Sequence, residues 1–329
     1  MSYLAQQPVG LTDTEFYLDP KQSKRTRNWF KVGWDLSAAE FDYRLNQNIK
    51  FNNRTFHLAA NRYAVGNLGP ISRIDDTAEN RNLLKDDYSN WGNEFRTILH
   101  YPLLGQKSVL LLGNRIYFGN TLRSQGEANN SNNPSFSFLN PEEPDDSEFV
   151  FPGQNLSFFA ENILNINAKF SITPGIRYEH IKTASDGYYF NRQEDIAGNI
   201  ILLEQVFEEK SKTRSFVLFG IGLSYKATDL LETYANFSQN FRAINFNDIR
   251  IDNPSLSVDE NIDDERGFNF DIGVRGSKEN VLRFDVSLFL LSYQDRIGNI
   301  LQTEADPRFS FYVPKTFRFR TNVGDALIF

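Results

Sequence analysis

The sequence predicts an all-β fold, namely part of an antiparallel up-and-down transmembrane β-barrel, with about eleven strands. Three observations lead to this fold class. Paired strands with one apolar face recur along the chain, the connections between them alternate in length, and aromatic residues make up 14% of the composition. Half of every strand in such a barrel is polar, which agrees with a mean hydropathy of −0.47. No run of about 18 apolar residues occurs, so a helical membrane span is excluded.

The repeating unit is clearest between Asn155 and Ile181. Strands at Asn155 to Leu164 and Lys169 to Ile181 are predicted on either side of a tight turn. In the second strand, apolar residues such as Phe170 and Ile172 alternate with polar ones. Because successive side chains of a strand point to opposite faces, one face is apolar and the other is charged.

The N-terminal part is less regular. Residues 1–27 show no sustained period and are predicted to be a loop. In the strand that follows, Trp34 and Phe41 have opposite parity, which predicts a β-bulge near Ala38 or Ala39. The next strand is expected to place Phe56, Leu58 and Ala60 outward, with His57, Asn61 and Tyr63 inward.

Further paired units repeat the pattern. They are Glu94 to Leu103 with Ser108 to Phe118, Phe216 to Tyr225 with Leu231 to Asn240, and Phe268 to Val274 with Val281 to Leu291. One more strand is expected near Phe317. Short turns alternate with long polar segments at Asn120 to Gly153, Lys182 to Lys212, Phe241 to Glu265 and Ser292 to Thr316. Short turns at one end and long loops at the other are typical of outer-membrane barrels.

Several segments resemble the barrel of TonB-dependent outer-membrane receptors. They are FFAEN, SITPGIRYEH, ETYANFSQNFRAINFNDI and FNFDIGVRG, while YLAQQPVGLTDTEF and RTRNWFKVGWDL resemble the ferric-dicitrate subgroup in particular. The resemblance implies a barrel of about twenty-two strands with a plugged lumen. It also implies an N-terminal plug domain and a segment that engages TonB. We expect residues 1–329 to be part of one barrel domain, with the plug and the closing strands absent from this chain.

Strand parity gives the candidate binding residues. Arginine on the lipid face at the membrane midplane would cost about 2–4 kcal/mol, so the strand arginines are expected to face the lumen. The chain has a net charge of −7, yet this lumen is rich in arginine, which suits an anionic solute. The candidates expected toward the loop end are Arg242 first, then Arg115 and Arg177, with Arg96, Arg318 and Arg320.

Other kinds of site lack a sequence signature. Two acidic runs, 142–148 and 259–265, have no EF-hand glycine spacing and are predicted to be solvated loops rather than calcium sites. The three histidines are isolated, and no nucleophile elbow, P-loop or dinucleotide motif occurs. We therefore expect neither an enzyme, nor a metal site, nor a cofactor, nor a nucleic-acid partner; iron would be carried as a chelate ligand.

The leading functional prediction is the barrel of a receptor that imports a ferric chelate, ferric citrate in particular, across the outer membrane of a Gram-negative bacterium. Outer-membrane lipid and the ferric chelate are the implied partners, together with the TonB complex, which would be engaged through the absent N-terminal region. Two alternatives stay open at this stage. One is a passive porin-like channel, which shares the wall but has no plug; the other is a soluble carbohydrate-binding β-protein.

Overall fold

The computed structural model describes residues 2–4, 11–22, 25–67, 75–195, 199–245, 248, 256–278, 281–305 and 314–329. Its elements in chain order are β1 (Ser2–Leu4), α1 (Asp13–Leu18), β2 (Trp29–Arg44), β3 (Ile49–Gly66), β4 (Arg81–Leu103), β5 (Gln106–Ala128), β6 (Ser147–Asn165), β7 (Phe170–Glu194), β8 (Ile200–Lys226), β9 (Leu231–Arg242), β10 (Leu256–Val258), β11 (Glu265–Lys278), β12 (Leu282–Gln294), β13 (Ile297–Ala305), β14 (Pro314–Asn322) and β15 (Ala326–Ile328).

Most strands form one 12-stranded sheet, which we call the wall. Its strand order is β1 to β9, then β11, β12 and β15, and its long strands pair antiparallel with their neighbours along the chain. This topology confirms the predicted partial up-and-down barrel. The remaining strands form a separate small sheet in the order β10-β14-β13, in which β10 and β14 run parallel.

The connections of the wall alternate as predicted. Short turns join β2 to β3, β4 to β5, β6 to β7, β8 to β9 and β11 to β12, and we call this side the turn end. At the β4–β5 turn, Leu104 and Gly105 both have positive φ, as a two-residue turn matched to strand twist requires. The opposite side, the loop end, carries the connections at 67–80, 129–146 and 243–264, and the small sheet lies within its loops.

The two faces of the wall differ in chemistry. Val217, Phe219, Ile221 and Leu223 are exposed together on one face of β8, as are Leu282, Phe284, Val286 and Leu288 on β12. The partner strand β11 adds Phe270 and Ile272 to this face, with Phe268 half-buried. The predicted outward set is thereby confirmed. The opposite face carries polar side chains and lines the cavities, so the sheet curves with its polar face inside; we call this the concave face and the other the convex face.

Aromatic rings run across several strands of the convex face near the turn end. Phe41, Tyr43, Phe51 and Phe95 form a stacked series with ring centroids 5.9 to 6.4 Å apart. Aromatic side chains on one outward band are what membrane barrels place at a lipid–water interface. Among the described residues, no helix is both long and apolar enough to cross a membrane.

The predicted β-bulge is wrong. The ladder between β2 and β3 runs from Trp29↔Val65 to Arg44↔Lys50 with no register shift. Trp34 therefore lies on the concave face and Phe41 on the convex face. The apolar residues of β2 change faces along the strand, because the convex face becomes polar toward the loop end while the concave face there becomes apolar.

The same change of face reverses the prediction for β3. Leu58 and Ala60 pair with Asn90 and Tyr88 in the ladder and lie on the concave face, whereas His57 pairs with Trp91 on the convex face. Phe56 also lies on the concave face, with its ring beside that of Tyr117 at 6.4 Å. Parity in this strand was predicted from hydrophobicity alone, and hydrophobicity does not mark the outside at the loop end.

Other boundaries also differ from prediction. Residues 1–27 include β1, which pairs with β2, and the helix α1, which begins with a capping box between Thr12 and Glu15. The segment predicted as a loop from Lys182 to Lys212 is mostly an extension of the β7–β8 hairpin, whose ladder continues to Glu194↔Ile200. The strand predicted near Phe317 is β14, which belongs to the small sheet rather than to the wall.

Candidate functional site

A cavity of about 610 Å³ opens on the concave face at the loop end. Strands β2 to β7 supply its wall, and Asn245, which follows β9, adds one residue from across the sheet. Its lining is mainly apolar and aromatic, with Val32, Trp34, Leu58 and Phe151 among the apolar members. We call this cavity the loop-end pocket.

One basic group reaches the loop-end pocket from a buried ion cluster. Asp86 is fully buried and accepts hydrogen bonds from Arg62 Nε at 3.0 Å and from Arg123 Nε at 2.6 Å. Tyr88 donates a further bond to the same carboxylate at 3.1 Å. Arg123 is buried, whereas the Arg62 side chain is 42% exposed and lines the pocket. Two guanidinium groups share one carboxylate, and of the two it is Arg62 that reaches solvent.

A second group of charges crosses the middle of the concave face. Arg96, Arg115 and Arg177 lie on β4, β5 and β7, and all three face inward as predicted. Arg96 forms an ion pair with Glu94, and Arg177 forms one with Glu179. We call this set the arginine stripe.

Within the arginine stripe, the three arginines differ in their freedom to bind a ligand. Arg177 also donates to Ser157 Oγ at 2.8 Å, and its guanidinium lies 5.3 Å from the ring centre of Phe159. Arg115 makes no ion pair with any residue that the structure describes. An arriving carboxylate would compete with an existing ion pair at Arg96 and at Arg177, whereas at Arg115 the nearest carboxylate in the ladder, Glu94, is already paired with Arg96.

The predicted position of the stripe along the wall is wrong. Arg96, Arg115 and Arg177 each lie nearer to the turn end of their strand than to its loop end. The cause is the length of the strands, which continue beyond the segments that alternate clearly in the sequence. The stripe instead lies below the loop-end pocket, since Arg115 and the pocket residue Tyr117 are two positions apart on the same face of β5.

Arg242 and Arg320 meet at one buried carboxylate. Asp248 is 0% exposed and accepts a bond from Arg242 at 3.0 Å, while Arg320 holds its other oxygen. Arg242 also donates to Glu265 Oε1 at 2.9 Å. The predicted first-choice ligand residue thus lies where expected, at the loop end of β9, but it joins the small sheet to the wall.

Arg318 and Arg320 were predicted to line the barrel wall, and this is wrong. Both belong to β14 of the small sheet, where Arg318 pairs with Leu301 in the ladder and has an exposed side chain. A strand that leaves the wall has no fixed relation to its inner face, so parity cannot assign these residues to the lumen.

The acidic run 259–265 was predicted to be a solvated loop, and this is wrong for Asp264 and Glu265, which are buried, while Glu260 and Asp263 are exposed. Asp264 accepts bonds from Arg214 Nε at 2.7 Å and from the backbone of Ile244 at 2.9 Å. Asp263 accepts from Lys212 at 2.6 Å, and this contact holds the pKa of its carboxyl below the ordinary value of 3.8. These carboxylates neutralise the arginines of β8 and β9, so the run anchors the loop to the wall.

A comparable clamp closes the loop end near β2. Arg27 and Asp75 are buried and share two hydrogen bonds, of 3.1 and 2.7 Å. Arg27 also donates to the backbone carbonyls of Asp76, Glu79 and Asn130, which belong to two different connections. The hydrogen bonds from Arg27 hold the pKa of the Asp75 carboxyl below 3.8.

The sequence prediction missed the loop-end pocket. The predicted parity of β3, with Asn61 and Tyr63 inward, implies an outward Arg62, whereas Arg62 pairs with Asp86 on the concave face. A usable signal was present: on β2 the apolar residues change parity between Leu36 and Phe41, a stretch with no glycine or proline to mark a bulge. In the described part of the chain, no cluster of histidine, cysteine, aspartate or glutamate is arranged to hold a metal ion.

Comparisons with solved structures agree with this architecture. The ferric citrate transporter FecA in its unliganded form superimposes with a TM-score of 0.68 at 18% identity, over 88% of this chain and 39% of that one. The ferric yersiniabactin uptake receptor FyuA from Yersinia pestis gives 0.62 at 13%, over 82% and 37%. The Serratia marcescens hemophore receptor HasR gives 0.65 at 8%, over 92% and 45%.

At these identities the likeness concerns the fold, and the chain spans less than half the length of each relative. No curated protein matches the sequence. A family model described as "TonB dependent receptor-like, beta-barrel" matches residues 2–328. The chain therefore belongs to the TonB-dependent receptor-like β-barrel family.

Proposed function

We propose that this chain is the wall of an outer-membrane receptor that imports an anionic ferric chelate, energised through TonB in the full-length protein. The observation that carries the proposal is the distribution of side chains between the two faces of the wall. Apolar side chains cover its convex face, while charged side chains and a pocket occupy its concave face. Such a distribution suits lipid outside and an aqueous, ligand-binding lumen inside. The family match supports a receptor or transporter and not an enzyme.

The arginine stripe supports an anionic ligand, for which ferric citrate is the first chelate to test. Arg54 lies on the same face one strand further on, opposite Glu94 in the ladder, and it also makes no ion pair with a described residue. Of these four arginines, Arg96 and Arg177 form ion pairs with Glu94 and Glu179, which leaves Arg54 and Arg115 as the candidates to bind an anion. Of the predicted ligand residues, Arg115 is the best placed, because its guanidinium is free to bind a carboxylate through two parallel hydrogen bonds.

The two alternatives are not favoured. A soluble carbohydrate-binding protein would bury the apolar side chains of β8 and β12, which here are exposed together. A passive porin would share the wall, but the family model is that of TonB-dependent receptors. Dependence of transport on TonB is the property that separates receptor from porin.

The test is uptake of radioactive iron by cells that express the full-length receptor, with TonB present or deleted. We expect uptake of ferric chelate that disappears without TonB. Uptake that persists without TonB would favour the passive channel and overturn the proposal. Arg115→Ala should weaken ferric-citrate binding by about tenfold or more, the loss typical of a charged hydrogen bond. Arg283→Ala, an exposed arginine at the turn end, is the matched control and should leave binding unchanged.

A further inference from the structure

We propose that the loop-end pocket binds the apolar body of an amphiphilic ferric chelate, one with an anionic head and an aromatic or acyl portion. This inference rests on the proposed function and narrows its ligand class. It differs from the ferric citrate expectation, because ferric citrate is a compact polyanion with no apolar portion.

Large apolar side chains are exposed on the concave face of the wall beside the loop-end pocket. Trp34 and Leu36 are 64% and 59% exposed on the concave face, next to the half-buried Leu58 across the strand pair. On a membrane barrel wall, apolar side chains belong on the outside; here they face the lumen instead. Large apolar side chains exposed together in a concavity indicate a binding site, since their exposure to water is unfavourable.

The loop-end pocket contains one exposed basic group. The Asp86 cluster presents one guanidinium edge to the pocket, that of Arg62, and Arg62 is the charged side chain among the described lining residues. A polyanion would need several free cations to balance its desolvation. One cation beside an aromatic wall fits a ligand with a single anionic group near an apolar body.

The loop-end pocket has the size of a ligand site and is continuous with the arginine stripe. Ligand pockets commonly measure about 300–1,000 Å³, and 610 Å³ falls inside that range. Tyr117 lines the loop-end pocket on the side nearer the turn end. Arg115 of the arginine stripe lies two positions closer to the turn end on the same face of β5. A chelate could therefore place its apolar body against Trp34 and its charged iron centre toward the stripe.

The experiment uses purified full-length receptor and two chelates that differ in one feature: ferric citrate, and the ferric complex of a citrate derivative carrying one eight-carbon acyl chain. Binding is measured by titration calorimetry. We expect the acylated chelate to bind at least tenfold more tightly. Trp34→Ala should remove most of this difference, and Arg62→Gln should weaken the acylated chelate severalfold.

Phe41→Ala is the matched control for Trp34→Ala. Phe41 lies on the same strand with the same 64% exposure but on the convex face, so its replacement should leave both affinities unchanged. A second readout avoids variants that fold poorly: the acylated chelate should quench the fluorescence contributed by Trp34, taken as the difference between wild type and Trp34→Phe.

Equal affinity for the two chelates, or a difference that Trp34→Ala leaves intact, would overturn the inference. So would absence of quenching at Trp34, the result expected if another part of the receptor covers the pocket. These outcomes are distinguishable from failure of the proposed function. TonB-dependent import of ferric citrate, with no preference for the acyl chain, would leave the function standing and remove only the ligand class.

Discussion

Replacing Asp248 with asparagine should loosen the small sheet from the wall. The substitution keeps the shape of the side chain and removes the charge that Arg242 and Arg320 share. Removing one partner of a buried ion pair costs about 3–5 kcal/mol. Arg242 is 38% exposed and keeps Glu265 at 2.9 Å, so its share of the loss is reduced by solvent and by its second partner. We therefore expect about 2–3 kcal/mol for the contact between small sheet and wall.

Hydrogen exchange of the β13 and β14 amides in the full-length receptor measures this loss directly. These strands pair only with each other and with β10, so they can open without breaking the wall. A loss of 2–3 kcal/mol corresponds to exchange faster by about 30- to 150-fold, at 1.4 kcal/mol per tenfold. Glu94→Gln, which removes an ion pair within the wall, is the control and should leave these amides unchanged. Unchanged exchange in Asp248→Asn would refute the assignment of this carboxylate as the anchor.

Two further predictions concern the wall and the loop clamp. Ile221→Arg places a charge on the convex face and should lower the free energy of unfolding by about 2–4 kcal/mol if the residue lies near the membrane midplane. Asn236→Arg on the concave face should lower it little. Reversible unfolding in lipid vesicles compares the two variants. The Arg27–Asp75 clamp should hold above pH 3.8 and be lost as pH falls through the lowered pKa of Asp75. Only the ionised carboxylate pairs with Arg27, so protonation of Asp75 removes the stabilisation. Protease cleavage at 67–80 should therefore rise at low pH in the wild type, and should be high at every pH in Asp75→Asn; a loop equally protected in both would contradict the clamp.

The barrel topology could be predicted from the sequence because it depends on local patterns. Period-two alternation in β8, β11 and β12 marks the convex face wherever the exposed side chains of that face are apolar. Hairpin turns such as Leu104–Gly105 then fix each pairing. The ten long strands of the wall and their neighbour pairing follow from these two signals, whereas β1, β15 and the small sheet do not.

The site was predictable only in part, because its chemistry depends on long-range contacts. The inward direction of Arg115 follows from parity, but Arg242 shares the Asp248 carboxylate with Arg320, which lies on a different sheet. The strands continue past the segment whose apolar side chains lie on the convex face, and there the rule that apolar means outward fails. Trp34 and Leu58 lie in this region, which is why the loop-end pocket escaped prediction.

The central claim is that the wall spans an outer membrane with its convex face in lipid. The chain contains no cysteine, so single cysteines can be placed at each position from 217 to 224 in the full-length receptor, with any others removed. Spin labels at these sites report collision with oxygen, which concentrates in lipid, and with a water-soluble nickel chelate. We expect alternation at period two, with positions 217, 219, 221 and 223 accessible to oxygen and the intervening positions accessible to nickel. Uniform accessibility to nickel, or no alternation at all, would contradict the central claim.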